Sequence, residues 1–143
     1  MVEIKKVADG FYVAPQLAVE DFAELKAEGI NTIINNRPDG EAPDQLSDAE
    51  AREAAEAAGL NYVHVPVVSG QMTQGDIASF WAAVDDHEGP FLAYCRTGTR
   101  SCIMWAFNAV RTQQIPAIVA AAAEAGYDAR PAIRALETIK ASL

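Results

Sequence analysis

Phe91-Leu92-Ala93-Tyr94-Cys95-Arg96-Thr97-Gly98-Thr99-Arg100-Ser101 is the stretch whose reading decides the fold. Phe91 to Tyr94 is a short apolar run of buried-strand type. Cys95 leaves that strand and enters a short loop that contains one glycine. The loop closes on Arg100, at the start of a helical pattern expected to cover about Thr99 to Thr112.

The same alternation of strand and helix extends in both directions. Upstream, Gly10-Phe11-Tyr12-Val13 reads as a short strand. Leu17 to Glu28 has helical spacing and stops at Gly29, a residue suited to a helix C-terminus. Asn31 to Asn35 reads as a buried strand, and Arg37 to Gln45, with two prolines and Gly40, as a loop. Ser47-Asp48-Ala49-Glu50 has capping-box spacing and opens a helix that ends at Gly59. Asn61 to Val67 is the next strand, with Pro66 marking its end.

Thr73 and Asp76 repeat the capping-box spacing, and a helix follows to about His87. Downstream of the cysteine loop, Pro116 fits the first turn of a helix that ends at Gly126, and a last helix covers about Ala129 to Leu143. This order predicts an α/β fold, a mainly parallel central sheet of about four to five strands with helices on both faces. Residues 1–143 read as a single domain, without repeat or linker. Ligands of such sheets bind at the carboxyl ends of the strands, where Cys95 stands.

Composition narrows the function. Half of the 143 residues are apolar and 22% are charged, which is ordinary for a globular chain. Eleven basic against 20 acidic residues give a net charge of -9. Such a surface repels phosphate backbones and anionic lipid heads, so neither nucleic acid nor membrane is expected as a partner. No apolar run approaches the roughly 20 residues of a membrane span, and Met1 to Lys6 lacks the apolar core of a signal peptide, so a cytoplasmic location is expected. Two cysteines, Cys95 and Cys102, with two scattered histidines, His64 and His87, make neither a disulfide scaffold nor a zinc site. No metal or cofactor is expected. The oligomeric state is not encoded in any pattern of the chain.

The cysteine loop has the chemistry of an anion site. Successive N–H groups of Arg96, Thr97, Gly98 and Thr99 can turn inward as a nest, and the helix N-terminus behind them adds partial positive charge. Arg100 can hold two oxygens of a tetrahedral anion in a bidentate fork. The same positive field favours the thiolate of Cys95, the nucleophilic form. Ser101 is placed to donate a hydrogen bond to that thiolate.

Asn36-Arg37-Pro38-Asp39-Gly40-Glu41, Val65-Pro66-Val67, Tyr94 to Ser101 and Ala125-Gly126-Tyr127-Asp128 together resemble the bacterial phosphatase-like domain of beta-lactamase hydrolase-like proteins. In layout the chain resembles dual-specificity protein tyrosine phosphatases. The resemblance implies a phosphatase-like α/β fold and a cysteine-dependent hydrolase. Its nucleophile would be Cys95, its anion clamp Arg100, and its substrate a small anionic or phosphorylated molecule.

Two departures accompany the resemblance. Four residues, not the five of tyrosine phosphatases, separate Cys95 from Arg100. That length is similar to the loop of single-domain rhodaneses, which carry sulfane sulfur as a cysteine persulfide. The loop after the strand ending near Pro66 also reads Val67-Val68-Ser69-Gly70-Gln71, with no acid where phosphatase relatives place the proton donor. Asp39 is the candidate acid from another loop at the same sheet edge, and Asp76 is the alternative, although capping is the simpler role for it.

Arg37 is a candidate second anion-binding group, or else a salt-bridge partner of Asp39 or Glu41. Cys102 is a candidate resolving thiol, or else an apolar helix residue. Three functions remain open on sequence: a phosphatase-like hydrolase, a rhodanese-like sulfurtransferase, and a non-catalytic anion- or partner-binding domain.

Overall fold

The computed structural model describes residues 2–143. Five strands form one sheet: β1 (Lys5–Ala8), β2 (Phe11–Ala14), β3 (Thr32–Asn35), β4 (Asn61–His64) and β5 (Phe91–Tyr94). Their order is β1-β2-β5-β3-β4, with β1 antiparallel to β2 and every other pairing parallel. Six α-helices accompany them: α1 (Val19–Ala27), α2 (Asp48–Ala57), α3 (Gln74–Asp85), α4 (Thr99–Ala109), α5 (Ile115–Glu124) and α6 (Ile133–Ala141). A 3-10 turn, Arg130–Ala132, leads into α6.

The period-two alternation of the strands sorts the core into two layers. Val13, Ile34 and Ala93 face a cluster built with Phe80 of α3, Trp105 of α4, Ile118 of α5 and Leu136 of α6. Ala14, Ile33, Leu92 and Tyr94 face the opposite side, against Phe22 and Leu25 of α1 and Ala51 and Ala55 of α2. β5 lies between β2 and β3, and all four of its residues are buried, as the apolar run requires.

The expected elements are present, with shifted ends. β4 stops at His64, two residues before Pro66, and α4 gives way at Val110 rather than Thr112. Both capping boxes form: Ser47 with Glu50 at the start of α2, and Thr73 with Asp76 at the start of α3. Beyond the expected set is β1, an edge strand with Val7 as its one buried residue. Asp9-Gly10 turns it into β2, with Gly10 at φ +75°.

Because β2, β3, β4 and β5 run parallel, the segments that follow them emerge at one edge of the sheet. Residues 15–18, 36–47, 65–73 and 95–98 therefore meet there. That edge is where the candidate residues gather.

Candidate active site

Cys95 continues directly from β5, its N–H donating to the Ala14 carbonyl of β2 at 3.4 Å. Its sulfur is buried and accepts the Gly98 N–H at 3.1 Å. Gly98 reaches that position only because its φ is +93°, in the left-handed region, where it forms the N-cap of α4. A side chain there is excluded sterically as well: a Cβ would lie 2.2 Å from the Tyr127 hydroxyl. Tyr127 covers the back of the loop and donates to the Thr97 carbonyl at 3.3 Å. Arg96, Thr97 and Thr99 are exposed along the lip, and the Thr97 and Thr99 hydroxyls bond each other at 3.1 Å.

Arg100 stands in the first turn of α4. Its two Nη groups donate end-on to Glu41, at 2.7 Å to Oε2 and 2.9 Å to Oε1. A further Nη1 bond of 2.9 Å goes to the Val67 carbonyl. Three of its five N–H bonds are thus directed at protein oxygens. The side-on edge, Nε and the remaining Nη2 hydrogen, donates to no oxygen among the described residues. Hydrogen bonding to Glu41 raises the pKa of Arg100 above its ordinary value, and the neighbouring Cys95 adds to the rise.

Glu41 also accepts from Arg37 Nε at 2.9 Å, and Arg37 Nη1 donates to Gln16 Oε1 at 3.0 Å. Arg37 is itself buried, 4% exposed. The Arg100 hydrogen bond, helped by Arg37, holds Glu41 down from 4.5 to about 2 against the cost of its burial. Glu41 is therefore a fixed anion that orients two guanidinium groups, and a carboxylate of that acidity donates no proton near neutral pH.

Asn36 knits the strand ends together. Its N–H donates to the Tyr94 carbonyl at 2.8 Å, and its own carbonyl accepts the Val67 N–H at 3.0 Å. Its side-chain amide donates to Val65 at 2.9 Å and accepts the Ser101 hydroxyl at 2.8 Å. The Ser101 hydrogen thus goes to Asn36 rather than to the Cys95 sulfur.

The remaining candidates are engaged elsewhere. Asp39 is exposed and accepts the Asp48 N–H at 2.7 Å, at the start of α2. Asp76 is bound to the Thr73 N–H at 3.0 Å. His64 bonds the Arg37 carbonyl at 3.0 Å and approaches Asp48 at 3.4 Å. Cys102 is buried in the core below the loop, and burial, followed by the Cys95 charge, pushes its thiol up to about 12.

The structure thus groups Cys95, Gly98, Arg100 and, through Glu41, Arg37. Sequence reasoning gave no site role to Glu41 or Tyr127. Glu41 acts on Arg100 from 59 residues away, and Tyr127 acts on Gly98 by contact, so neither leaves a local pattern. Their one signal is their place in the stretches 36–41 and 125–128 that carry the family resemblance.

The sheet order, its antiparallel edge and the helices on both faces define a phosphatase-like α/β domain of the protein tyrosine phosphatase type. The chain belongs to the family of phosphatase-like domains of beta-lactamase hydrolase-like proteins, whose sequence pattern matches residues 3–112. A beta-lactamase hydrolase-like protein of Agrobacterium fabrum is 37% identical over 100 residues, covering 70% of this chain and 23% of that protein. The chain spans about a quarter of the length of the curated relatives it matches.

The crystal structure of a candidate phosphatase from Neisseria meningitidis Z2491 is 33% identical, with TM-score 0.82 over 95% of this chain and 97% of that one. Tk-PTP in its active form shares the fold at 13% identity, with TM-score 0.77 over 98% of this chain and 97% of that one. No helix among the described residues is long and apolar enough to cross a membrane.

Proposed function

We propose that the chain is a cysteine-dependent phosphatase that cleaves a phosphoester through a phosphocysteine on Cys95. The observation that carries this reading is the local pairing at the end of β5: a buried sulfur with the Gly98 N–H on it, next to a guanidinium whose side-on edge is left without an oxygen partner. The family supports a phosphatase-type hydrolase. The Cys95 thiolate attacks phosphorus, and the S–P bond forms as the P–O bond to the leaving group breaks. The leaving oxygen takes up one proton. Water then attacks phosphorus, the S–P bond breaks, and phosphate departs with the thiolate restored. The water's proton goes to solvent, so ester and water become alcohol and phosphate.

Arg100 meets two phosphoryl oxygens with its side-on edge, while Glu41 keeps that edge turned toward the loop. Arg37 offsets part of the Glu41 charge, so that Arg100 keeps more of its positive field. In this reading the N–H groups of Arg96, Thr97, Gly98 and Thr99 surround the anion, those of Gly98 and Thr99 turning to it from the Cys95 sulfur and the Thr97 hydroxyl, and Ser101 holds Asn36. Asp39 is the carboxylate from the 36–47 loop offered as proton donor, and it must leave the Asp48 N–H to serve.

A sulfurtransferase is the second reading, favoured by the four-residue spacing of Cys95 and Arg100. There Cys95 takes the outer sulfur of thiosulfate as a persulfide, sulfite leaves, and an acceptor thiol removes the sulfur.

One experiment separates them. Intact mass is recorded after incubation with an aryl phosphate, and separately with thiosulfate, before the acceptor is added. A phosphate adduct on Cys95, with turnover abolished in Cys95→Ser, is the expected result. An added sulfur on Cys95 with no phosphate adduct overturns the phosphatase reading. Asp39→Asn is expected to slow an alkyl phosphate by roughly 10²-fold or more and to leave an activated aryl phosphate nearly unchanged. Equal rates with both substrates remove Asp39 from the mechanism.

A further inference from the structure

A groove of about 400 Å³ begins beside the cysteine loop, at the first turn of α4, with Thr99 and Arg100 in its wall. The rest of that wall is apolar or uncharged. Met72 comes from the loop before α3, Ile103 and Phe107 from α4, and Pro131, Ala132 and Ala135 from the 3-10 turn and α6. Arg100 is the one charged residue lining it. A second hollow of about 360 Å³ shares Met72, Phe107 and Ala135 with the first and continues toward Ile77 and Ile139, again without a charged residue in its lining. The two adjoin at these three residues as one mainly apolar track leading away from Arg100, with Thr73, Gln74 and Thr138 the polar members of the second. A third hollow, about 670 Å³ between α5 and α6, has no residue of 95–101 in its lining.

We propose that this track holds the organic part of the substrate, and that this part is an uncharged, mainly hydrocarbon group on a single anionic head. The proposal rests on the anion-site reading of the loop. Its argument is continuity: Thr99 and Arg100, in the first turn of α4 directly after the loop, wall the groove, so a head held by Arg100 has its substituent at the groove mouth. Charge excludes the alternatives. A polyphosphate or an acidic phosphopeptide brings further negative charge, and neither hollow offers a cation beyond Arg100 to meet it. A hydrocarbon group gains by leaving water there, roughly in proportion to the area it buries.

The test uses n-alkyl phosphonates, which keep the anionic head and cannot be hydrolysed. Calorimetry on the wild-type chain measures binding for methyl, butyl and hexyl members, and turnover of the matching alkyl phosphates is measured separately. Affinity is expected to tighten about two- to fourfold per methylene, so hexyl should exceed methyl by roughly thirtyfold or more. Ala135→Trp, placed where the two hollows join, is expected to erase most of that ratio. Ala123→Trp, in the distant hollow between α5 and α6, is expected to keep it.

A flat series, or a ratio unmoved by Ala135→Trp, overturns the proposal, whatever the turnover. A steep series abolished by Ala135→Trp, with no phosphate ester cleaved, upholds the groove and overturns the phosphatase reading. Failure of every phosphonate to bind overturns both.

Discussion

The chain crosses from β5 to α4 in four residues, 95–98, and from β3 to α2 in twelve, 36–47. Both segments end at the proposed anion site, yet they are held differently. The short one is fixed by its backbone: a left-handed glycine, an N–H on the Cys95 sulfur, and a carbonyl under the Tyr127 hydroxyl. The long one is fixed by side chains. Arg37 and Arg100 share Glu41, Asn36 spans to Val65 and Ser101, Gln45 reaches the Pro38 carbonyl, and Asp39 holds the Asp48 N–H. In the proposed function the short segment supplies the reacting sulfur, and the long one aims the charge. A single wrong residue type therefore damages the first by conformation and the second by leaving a charge without its partner.

Gly98→Ala tests the conformational half and carries the largest expected effect. The left-handed backbone alone costs about 1–2 kcal/mol for a residue with a Cβ, and the Tyr127 ring must also be displaced. Turnover should fall at least a hundredfold, because an anion nest tolerates little misplacement. Gly98→Ala combined with Tyr127→Ala should regain part of the stability, measured by thermal unfolding, since the clash goes while the strain stays. Wild-type turnover in Gly98→Ala would show that the short loop is not set by its backbone.

Glu41→Gln tests the electrostatic half. It leaves buried Arg37 and part-buried Arg100 without their shared anion; because Glu41 itself is exposed, the loss is about 1–2 kcal/mol. The pH dependence gives a second readout. Glu41 sits at about 2 in the fold and near 4.5 when unfolded, so its contribution is complete above 4.5 and is lost as pH falls from there toward 2. The urea midpoint of wild type should fall as the pH drops through that window, and that of Glu41→Gln should lack the Glu41 component. A variant as stable as wild type at pH 7 would mean that Arg37 and Arg100 are held well enough by Gln16 and Val67.

The same contrast explains what could be read from the chain before its structure. Strand, glycine, arginine and helix are local features, so the 95–101 loop and the parallel sheet around it were legible. Both capping boxes were legible for the same reason. β1 was not, because a polar edge strand with one buried residue has almost no hydrophobic pattern; its Asp9-Gly10 turn was the available signal. The Arg37 partner was narrowed to two acids by proximity alone. The partners of Arg100 and Ser101 were out of reach, since Glu41 and Asn36 lie 59 and 65 residues away and meet them only after the sheet has formed.

Tyr127→Phe gives the smallest expected effect and the sharpest distinction between the two segments. Tyr127 serves the short loop in two separable ways: its ring fills the space that Gly98 leaves open, and its hydroxyl holds the Thr97 carbonyl at 3.3 Å. Phenylalanine keeps the first and deletes the second. The lost hydrogen bond is half exposed and long, so stability should drop by about 0.5–1 kcal/mol. If the carbonyl contact helps to point the Gly98 N–H at the sulfur, kcat should fall several-fold with KM little changed, because the loop would be less well ordered for the reacting state. Tyr127→Ala, which removes the ring as well, should lose more of both. A Tyr127→Phe variant with wild-type kcat and a lowered melting temperature would assign the hydroxyl to stability alone and leave Gly98 as the sole conformational determinant of the loop.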